Sequence, residues 1–340
     1  MNTSKNKVLF GIGIFAIAFF LFGAFFLPST ETPTGHSIAY EQTYHMRVGY
    51  LPVLVNLPLF VALDQGFFED RGLVVEAIEA QSPNHIVEAI IAGNLDGAGI
   101  LADPILFAAE EKFPGEIKIF ATTDETKENY VSAIIVGKDS GIEKPEDLIG
   151  KKVGVYTGLV QVLFLKGIIA GMGFDPETDI EIVEIAPRLQ LQGLEAGQYD
   201  ALSTVEPFVT TAESMGIGRV LIRNPRVKYI QNPFPSVATP LSADFIKENP
   251  KAARAYLLAI HDAIDFIRAN PEKAKSILSK YAPIPEDVAQ KVTLPRFNKF
   301  GEEDRANMQK NADWMVEKGL LKKGVIVESM FGERELLAQG

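Results

Sequence analysis

Two short motifs recur in the same order at nearly the same spacing, and this constrains the fold more than any single element does. Val48-Gly49-Tyr50 returns as Val153-Gly154-Val155-Tyr156, an offset of 105 residues, and Ala92-Gly93-Asn94-Leu95-Asp96 returns as Ala196-Gly197-Gln198-Tyr199-Asp200, an offset of 104. Each half then reaches an acid before proline, Asp103-Pro104 in the first and Glu206-Pro207 in the second. Agreement in order and spacing argues for two similar lobes, where either match alone would say little. Short apolar runs around these motifs predict strands at Arg47–Tyr50, Leu73–Ile78, Gly97–Leu101, Ile117–Ala121, Ser132–Val136, Lys152–Tyr156, Ile180–Ile185, Ala201–Thr204 and Arg219–Ile222. Helical patterns separate most of them, so the expected class is α/β, with parallel sheets and crossover helices. Beyond Leu241 the pattern turns helical through Lys251–Ala269, Pro271–Tyr281 and Glu302–Lys318, with no third sheet. Such sheets take ligands beyond the carboxyl ends of their strands, and two facing lobes make a cleft that can close on a small molecule.

Composition narrows the chemistry. The 340 residues carry 33 Lys+Arg against 44 Asp+Glu, a formal charge of −11, which argues against nucleic acid as a partner because phosphate binding needs a basic face. There is no cysteine, which removes disulfides, thiolate metal sites, thiol nucleophiles and a lipidated N-terminal cysteine. The 4 histidines, at 36, 45, 85 and 261, make a zinc triad improbable. Val8 to Leu27 is an uncharged apolar run behind Lys5 and Lys7. At about 1.5 Å per residue it reaches roughly 30 Å as a helix, the thickness of a bilayer core, with the lysines cytoplasmic and the remaining chain outside. Residues 1–27 are therefore expected to be a membrane anchor; a signal segment cleaved near Ala39 is the competing reading. Residues 28–45 read as a tether.

The segments VGYLPVLVNLPLFVALDQGFFEDRGLVVE, AIIAGNLDGAGI, VGKDSGIEKPEDLIGKKVGV, GLEAGQYDALSTVEPF and ADFIKENPKAARAYLLAIHDAIDFIRANPEKAKSIL resemble the solute-binding proteins of nitrate/sulfonate/taurine (NitT/TauT) type ABC importers. The resemblance covers nearly all of the chain after Met46 and implies a type II periplasmic-binding-protein-like fold. Two α/β lobes then flank a ligand cleft, lobe 1 being 46–134 plus 238–340 and lobe 2 being 135–237, with the helical C-terminus packed on lobe 1. It does not fix the ligand, since the same framework carries sulfonates, nitrate, bicarbonate, pyrimidine vitamin precursors and flavins. Many relatives are anchored through a lipidated cysteine; here the apolar segment would have to serve instead.

Candidate ligand residues follow from the strand-end loops. The loop after the first strand offers Tyr50, Leu51 and Asn56, the last an amide able to donate and accept. Gln81 and Ser82 stand at the next strand-to-helix junction, where Ser82 is also a good N-cap before Pro83. Ala102 and Asp103 hold the equivalent place after the third strand. Relatives often have small neutral residues there, so Asp103 either departs from an anion site or caps the helix that follows. In the second half Tyr156-Thr157-Gly158 matches the family's loop before a helix, with Gln161 one turn on. Arg188 is a cationic candidate or a surface arginine. Glu206, in Val205-Glu206-Pro207-Phe208, matches a Trp-Glu-Pro-Phe-like motif with valine at the aromatic position. Two carboxylates at one cleft would favour a cationic or donor-rich ligand. Trp314, His85 and His261 read as structural.

The resemblance implies a binding protein and no enzyme: it captures a small molecule by hinge closure and hands it to a permease driven by a separate ATPase. It is expected to be a monomer without cofactor or metal, and no GxxxxGK[ST] phosphate loop is present. A membrane-tethered sensor is the second reading, and an enzyme on the same fold such as a pyrimidine-precursor synthase the third, which zero cysteine disfavours.

Overall fold

The structure, a computed structural model, describes residues 43–332 and Leu336. The expected membrane segment 1–27 and most of the tether lie outside them, and no helix among the described residues is long and apolar enough to cross a membrane.

The first stretch runs β1 (Tyr44–Tyr50), α1 (Leu57–Asp64), β2 (Leu73–Glu79), α2 (Pro83–Ile91), β3 (Gly97–Ala98), β4 (Leu101–Ala102), α3 (Asp103–Lys112) and β5 (Ile117–Glu125). The second runs β6 (Ser132–Gly137), β7 (Lys152–Tyr156), α4 (Leu159–Gly171), β8 (Glu181–Ile185), α5 (Gln190–Glu195), β9 (Ala201–Val205), α6 (Phe208–Met215), β10 (Gly218–Arg223) and α7 (Pro225–Tyr229). The third holds β11 (Phe234–Ser242), α8 (Ala243–Glu248), α9 (Pro250–Ala269), α10 (Pro271–Tyr281), α11 (Glu286–Ala289), β12 (Arg296–Asn298), α12 (Arg305–Glu317) and α13 (Val327–Met330).

These strands form two sheets. The first has the order β12-β5-β11-β3-β1-β2 with β4 also on β11; the second has the order β10-β6-β9-β7-β8. In the first, β1 lies parallel between β2 and β3; in the second, β7 lies parallel between β8 and β9. Sheet membership changes twice along the chain, within 126–131 and within 224–233, so the expected lobe boundaries at 134/135 and 237/238 fall inside β6 and β11.

Each sheet is covered on both faces. In β6, Ile134 and Val136 face a cluster with Leu165 and Ile168 of α4, while Ala133 and Ile135 face one with Leu194 of α5 and Val209 of α6. That alternation is the period-2 geometry of a strand buried on both sides. In the first sheet α1, α9 and α10 share one apolar cluster, in which Phe68 stacks on Tyr256 at 5.3 Å; α2, α3 and α12 share another.

The recurring motif has a physical basis. Asp96 Oδ2 accepts from Arg47 N–H at 2.7 Å, and Asp200 Oδ2 accepts from Lys152 N–H at 2.9 Å. In each half the terminal acid of the motif thus anchors the backbone of the strand that lies parallel between two others, in the middle of β1 and at the start of β7. Gly93 and Gly197 adopt φ of 71° and 67°, the left-handed conformation that glycine closes helices with.

The expected parallel sheets are in fact mixed, with β6 antiparallel to β9 and β10, and β11 antiparallel to β3 and β5. Three strand expectations also need correction. The single strand Gly97–Leu101 is two short ones, because Gly99 N–H turns to Gly49 O at 3.0 Å and Ile100 N–H to Asn56 Oδ1 at 2.8 Å. β11 was not expected: Pro235 and Pro240 interrupt its pattern, and its register on β5 slips near both. β12, three residues inside the C-terminal region expected to be helical, adds an edge to the first sheet.

Candidate functional site

The sequence-predicted residues gather on the carboxyl edges of the parallel strands in the two sheets. On the first, Tyr50 ends β1, Gln81 and Ser82 follow β2, and Ala102 and Asp103 lead from β4 into α3. On the second, Tyr156 ends β7, Thr157 and Gly158 lead into α4, Arg188 follows β8, and Glu206 follows β9. Exposed apolar side chains that sequence reading did not single out, Val53, Leu159 and Leu189, sit on the same loops.

On the first sheet, Tyr50 is half-buried with its ring edge on Phe60 at 5.6 Å. Asn56 is fully buried: Nδ2 donates to Leu51 O at 3.1 Å while Oδ1 takes the Ile100 N–H. Both polar atoms are engaged by backbone, so Asn56 ties the β1–α1 loop to the β3–β4 link. A side chain at Gly99 would overlap Asn56 Oδ1, which is why glycine stands there. Gln81 is exposed, and Ser82 caps α2 by accepting the His85 N–H at 3.3 Å. Asp103 is 1% exposed, and neither of its oxygens has a hydrogen-bond partner among the described residues. It stands in the first turn of α3 and caps nothing; the N-cap is Ala102. Burial, with the charge of Asp124 second, holds its carboxyl well above the usual range.

On the second sheet, Thr157 is exposed and its N–H goes to Ile185 O at 3.0 Å. Gly158 opens α4 with φ 143°, and its N–H is taken by Glu184 Oε2 at 3.1 Å. Arg188 is exposed on the short turn Pro187–Leu189. Glu206 is buried and caps α6: Oε2 accepts the Thr210 N–H at 3.0 Å and Oε1 its hydroxyl at 2.8 Å. It also accepts from the Thr293 N–H, and burial raises its carboxyl above the ordinary value against those bonds.

Sequence reading missed the charged centre that unites several of these residues. Arg226 of α7 donates through Nη1 to Glu125 Oε1 at 3.1 Å and through Nη2 to Gln161 Oε1 at 3.3 Å, and it reaches the Tyr156 hydroxyl. Its guanidinium also lies 5.3 Å from the Phe164 ring and 5.6 Å from that of Phe234. The other Glu125 oxygen accepts from Val131 N–H at 3.2 Å, Ser132 N–H at 2.9 Å and Ser132 Oγ at 2.6 Å. Glu125 and Arg226 flank the two crossings between the sheets, and their pairing is reinforced by Asn224 donating to Thr126 O and by Glu206 N–H donating to Val131 O at 2.8 Å. No local pattern announces a pair 101 residues apart.

Trp314, which reads as structural, is half-buried, packs against the apolar cluster of α2, α3 and α12, and stacks on Phe164 of α4 at 5.7 Å. His261 serves as a scaffold acceptor for Phe300 N–H at 3.1 Å. No group of His, Asp and Glu that could hold a metal ion occurs among the described residues. A cavity of about 510 Å³ is lined by Arg268, Lys275, Lys291, Thr293 and Arg296 among others and by none of the predicted residues, although its Thr293 N–H donates to Glu206. Its cations are engaged by carboxylates: Arg268 by Glu302, Lys275 by Glu272, Lys291 by Asp287 and Arg296 by Asp124.

Among solved structures, the periplasmic aliphatic sulphonate binding protein SsuA of Escherichia coli aligns with a TM-score of 0.72 at 19% identity, covering 86% of this chain and 93% of that one. The periplasmic nitrate-binding protein NrtA of Synechocystis aligns at 0.68 and 17%, covering 88% of each. The fold is therefore the α/β fold of periplasmic binding proteins. In sequence, the nitrate/nitrite binding protein NrtA of Nostoc is 24% identical over 65% of this chain and 53% of its own length. The taurine-binding periplasmic protein of Escherichia coli is 27% identical over 59% of both chains. The matches thus span little more than half the length of these two curated relatives. The model of one family matches residues 39–280, taking in the recurring motifs, both crossings and every candidate residue above, and on that match the chain belongs to the NMT1-like family.

Proposed function

We propose that the chain is the extracytoplasmic solute-binding component of an ABC-type importer, capturing a small molecule between two lobes and delivering it to a membrane permease served by a separate ATPase. The observation that carries the reading is the pair of sheets joined by two hydrogen-bonded crossings, each offering helix-start loops on its carboxyl edge. That is the architecture of a hinge with a site opposite it. The family match and the printed functions of the relatives, nitrate/nitrite, taurine and sulphonate binding, support the same reading. The moving bodies are the two sheet units, 44–125 with 234–332 and 132–223, joined by the crossings 126–131 and 224–233, and the ligand set comprises Tyr50, Leu51, Gln81, Ser82, Ala102 and Asp103 facing Tyr156, Thr157, Gly158, Gln161, Arg188 and Glu206. Asn56 supports that set as a loop clamp. The protein works as a monomer without catalysis, and residues 1–27 hold it to the membrane with the domain outside.

The test is calorimetric titration of the purified chain, in mild detergent, with taurine, nitrate, bicarbonate, alkanesulfonates and alkylamines. A ligand at a hundred times its dissociation constant stabilises the folded state by about 2.7 kcal/mol, which a melting curve resolves. Saturable binding by one class supports the reading; indifference to all of them overturns it. Fractionation of membranes and N-terminal sequencing of the mature chain test the anchor, since a start near residue 40 would overturn it.

A further inference from the structure

We propose that the recognised group of the ligand is a positively charged or N–H-donating nitrogen received by Asp103, which makes this residue the determinant of ligand class. The inference rests on the solute-binding reading above. Asp103, Asp124, Glu125 and Glu206 are the acidic residues buried as a whole among the described residues, and the buried side chain of Glu303 is paired with Arg305. Three of the four are satisfied within the protein: Asp124 by Arg296 at 2.5 Å and Asn298 at 2.7 Å, Glu125 by Arg226 and Ser132, and Glu206 by Thr210. Asp103 alone has both oxygens without a partner, on the carboxyl edge where the site residues of the first sheet converge. Its neighbourhood adds further unpartnered groups. Ala102 pairs across the sheet with Val237 and Val237 with Thr123, whose hydroxyl is buried without a partner, as is that of Thr239 on β11.

The sign of the ligand group follows from what surrounds the carboxyl. Asp124 of β5 is the one charged group that acts on it, and it is of like sign. The elements packed on α3 bring no free cation. β4 and β11 carry no charged residue, Lys118 of β5 donates to Ser329 O, α2 turns Ile86, Val87 and Ile90 inward, and α12 turns Asn307, Met308, Asn311, Ala312 and Met315 inward, the Asn311 amide nitrogen being buried without a partner. The guanidiniums of Arg296 on β12 and Arg226 on α7 are already ion-paired, with Asp124 and Glu125, although Arg296 Nε is buried without a partner. An anion such as nitrate or a sulfonate would find no cation at Asp103 that is not already ion-paired, whereas an ammonium supplies both the charge and the donors that a carboxylate there lacks. Without ligand, burial keeps Asp103 as the neutral acid; on binding, its proton leaves to solvent and the ligand's N–H⁺ donates to the carboxylate.

The experiment is isothermal titration of the full chain with butylamine and 1,4-diaminobutane as one probe set, and nitrate and butanesulfonate as the other. Amine affinity is expected to rise about tenfold per pH unit below the carboxyl's own pKa and to level above it. In Asp103→Asn the amine should bind about 10- to 100-fold more weakly. Should that variant fail to fold, the pH profile of the wild-type chain decides. Amine binding that is flat in pH, or equal in Asp103→Asn, overturns the inference. Binding of the anions alone overturns it while leaving the solute-binding reading standing. No response to either set overturns it and leaves the solute-binding reading to the wider panel of titrants above.

Discussion

Asp103 is held as a buried acid against its own preference for water, and that has a consequence for stability separate from any ligand. Its folded pKa lies well above the ordinary carboxyl value, so the folded chain binds this proton more tightly than the unfolded one. The stability it contributes is therefore whole below the unfolded pKa, near pH 4, and is lost as pH rises from there through the folded value. Asparagine holds no such proton. Asp103→Asn is expected to stabilise the ligand-free protein by about 1–3 kcal/mol near neutrality, with the gain closing toward pH 4. Urea melts at the two pH values check this, and a gain independent of pH would remove ionisation as its cause. Gly99 makes a steric counterpart. A methyl group there would displace the Asn56 amide from its two backbone partners, so Gly99→Ala should cost about 1–3 kcal/mol of unfolding free energy. A variant as stable as the parent would show that the clamp gives way cheaply.

Between elements, the decisive contact is the ion pair joining β5 to α7, with Glu125 fully buried and the Arg226 side chain 12% exposed. Removing the cation alone leaves a buried carboxylate with only its Ser132 and Val131 donors, so Arg226→Met should cost about 3–5 kcal/mol in a urea melt. Adding Glu125→Gln should recover part of that loss, because the uncompensated charge goes too; a double variant as unstable as the sum of the single ones would deny the coupling. This pair also marks where sequence reading stops. The two halves were legible because Asp96 and Asp200 do the same local work one motif apart, anchoring the backbone of Arg47 in β1 and of Lys152 in β7. The strand-end loops were legible for the same reason, since a strand followed by a helix pattern fixes where its carboxyl end lies. β11 was not, because Pro235 and Pro240 erase the alternation that identifies a strand, and its ladder with β5 is set by partners more than a hundred residues away. Side-chain direction was illegible as well. Ser82 reads as a cap and is one, while Asp103 reads equally well as a cap and instead leaves its carboxyl unpartnered.

At the scale of the molecule, a binding protein of this architecture needs a motion and a place where the motion registers. The crossings 126–131 and 224–233 are bonded to one another through Asn224 and Thr126, and Val131 of the first is held by Glu206 just after β9, so they can bend while those bonds hold. A second junction lies outside the crossings: Phe164 of α4, over the second sheet, stacks on Trp314 of α12, which packs with the first. Stacked rings slide at little cost compared with buried ion pairs, so rotation of one sheet unit against the other should shift this contact before it disturbs Arg226 and Glu125. Trp314 is also the single tryptophan of the chain. Its emission should therefore change on saturation with ligand in parallel with a fall in the radius of gyration by small-angle X-ray scattering. Trp314→Phe should abolish the optical signal while leaving calorimetric affinity within about twofold, since the ring keeps an aromatic partner for Phe164. A contraction seen by scattering with emission unmoved would place the hinge elsewhere, because the α4–α12 junction would then belong to one rigid body. Emission that moves without any contraction would limit the ligand's effect to that junction and exclude closure of the two sheet units on one another.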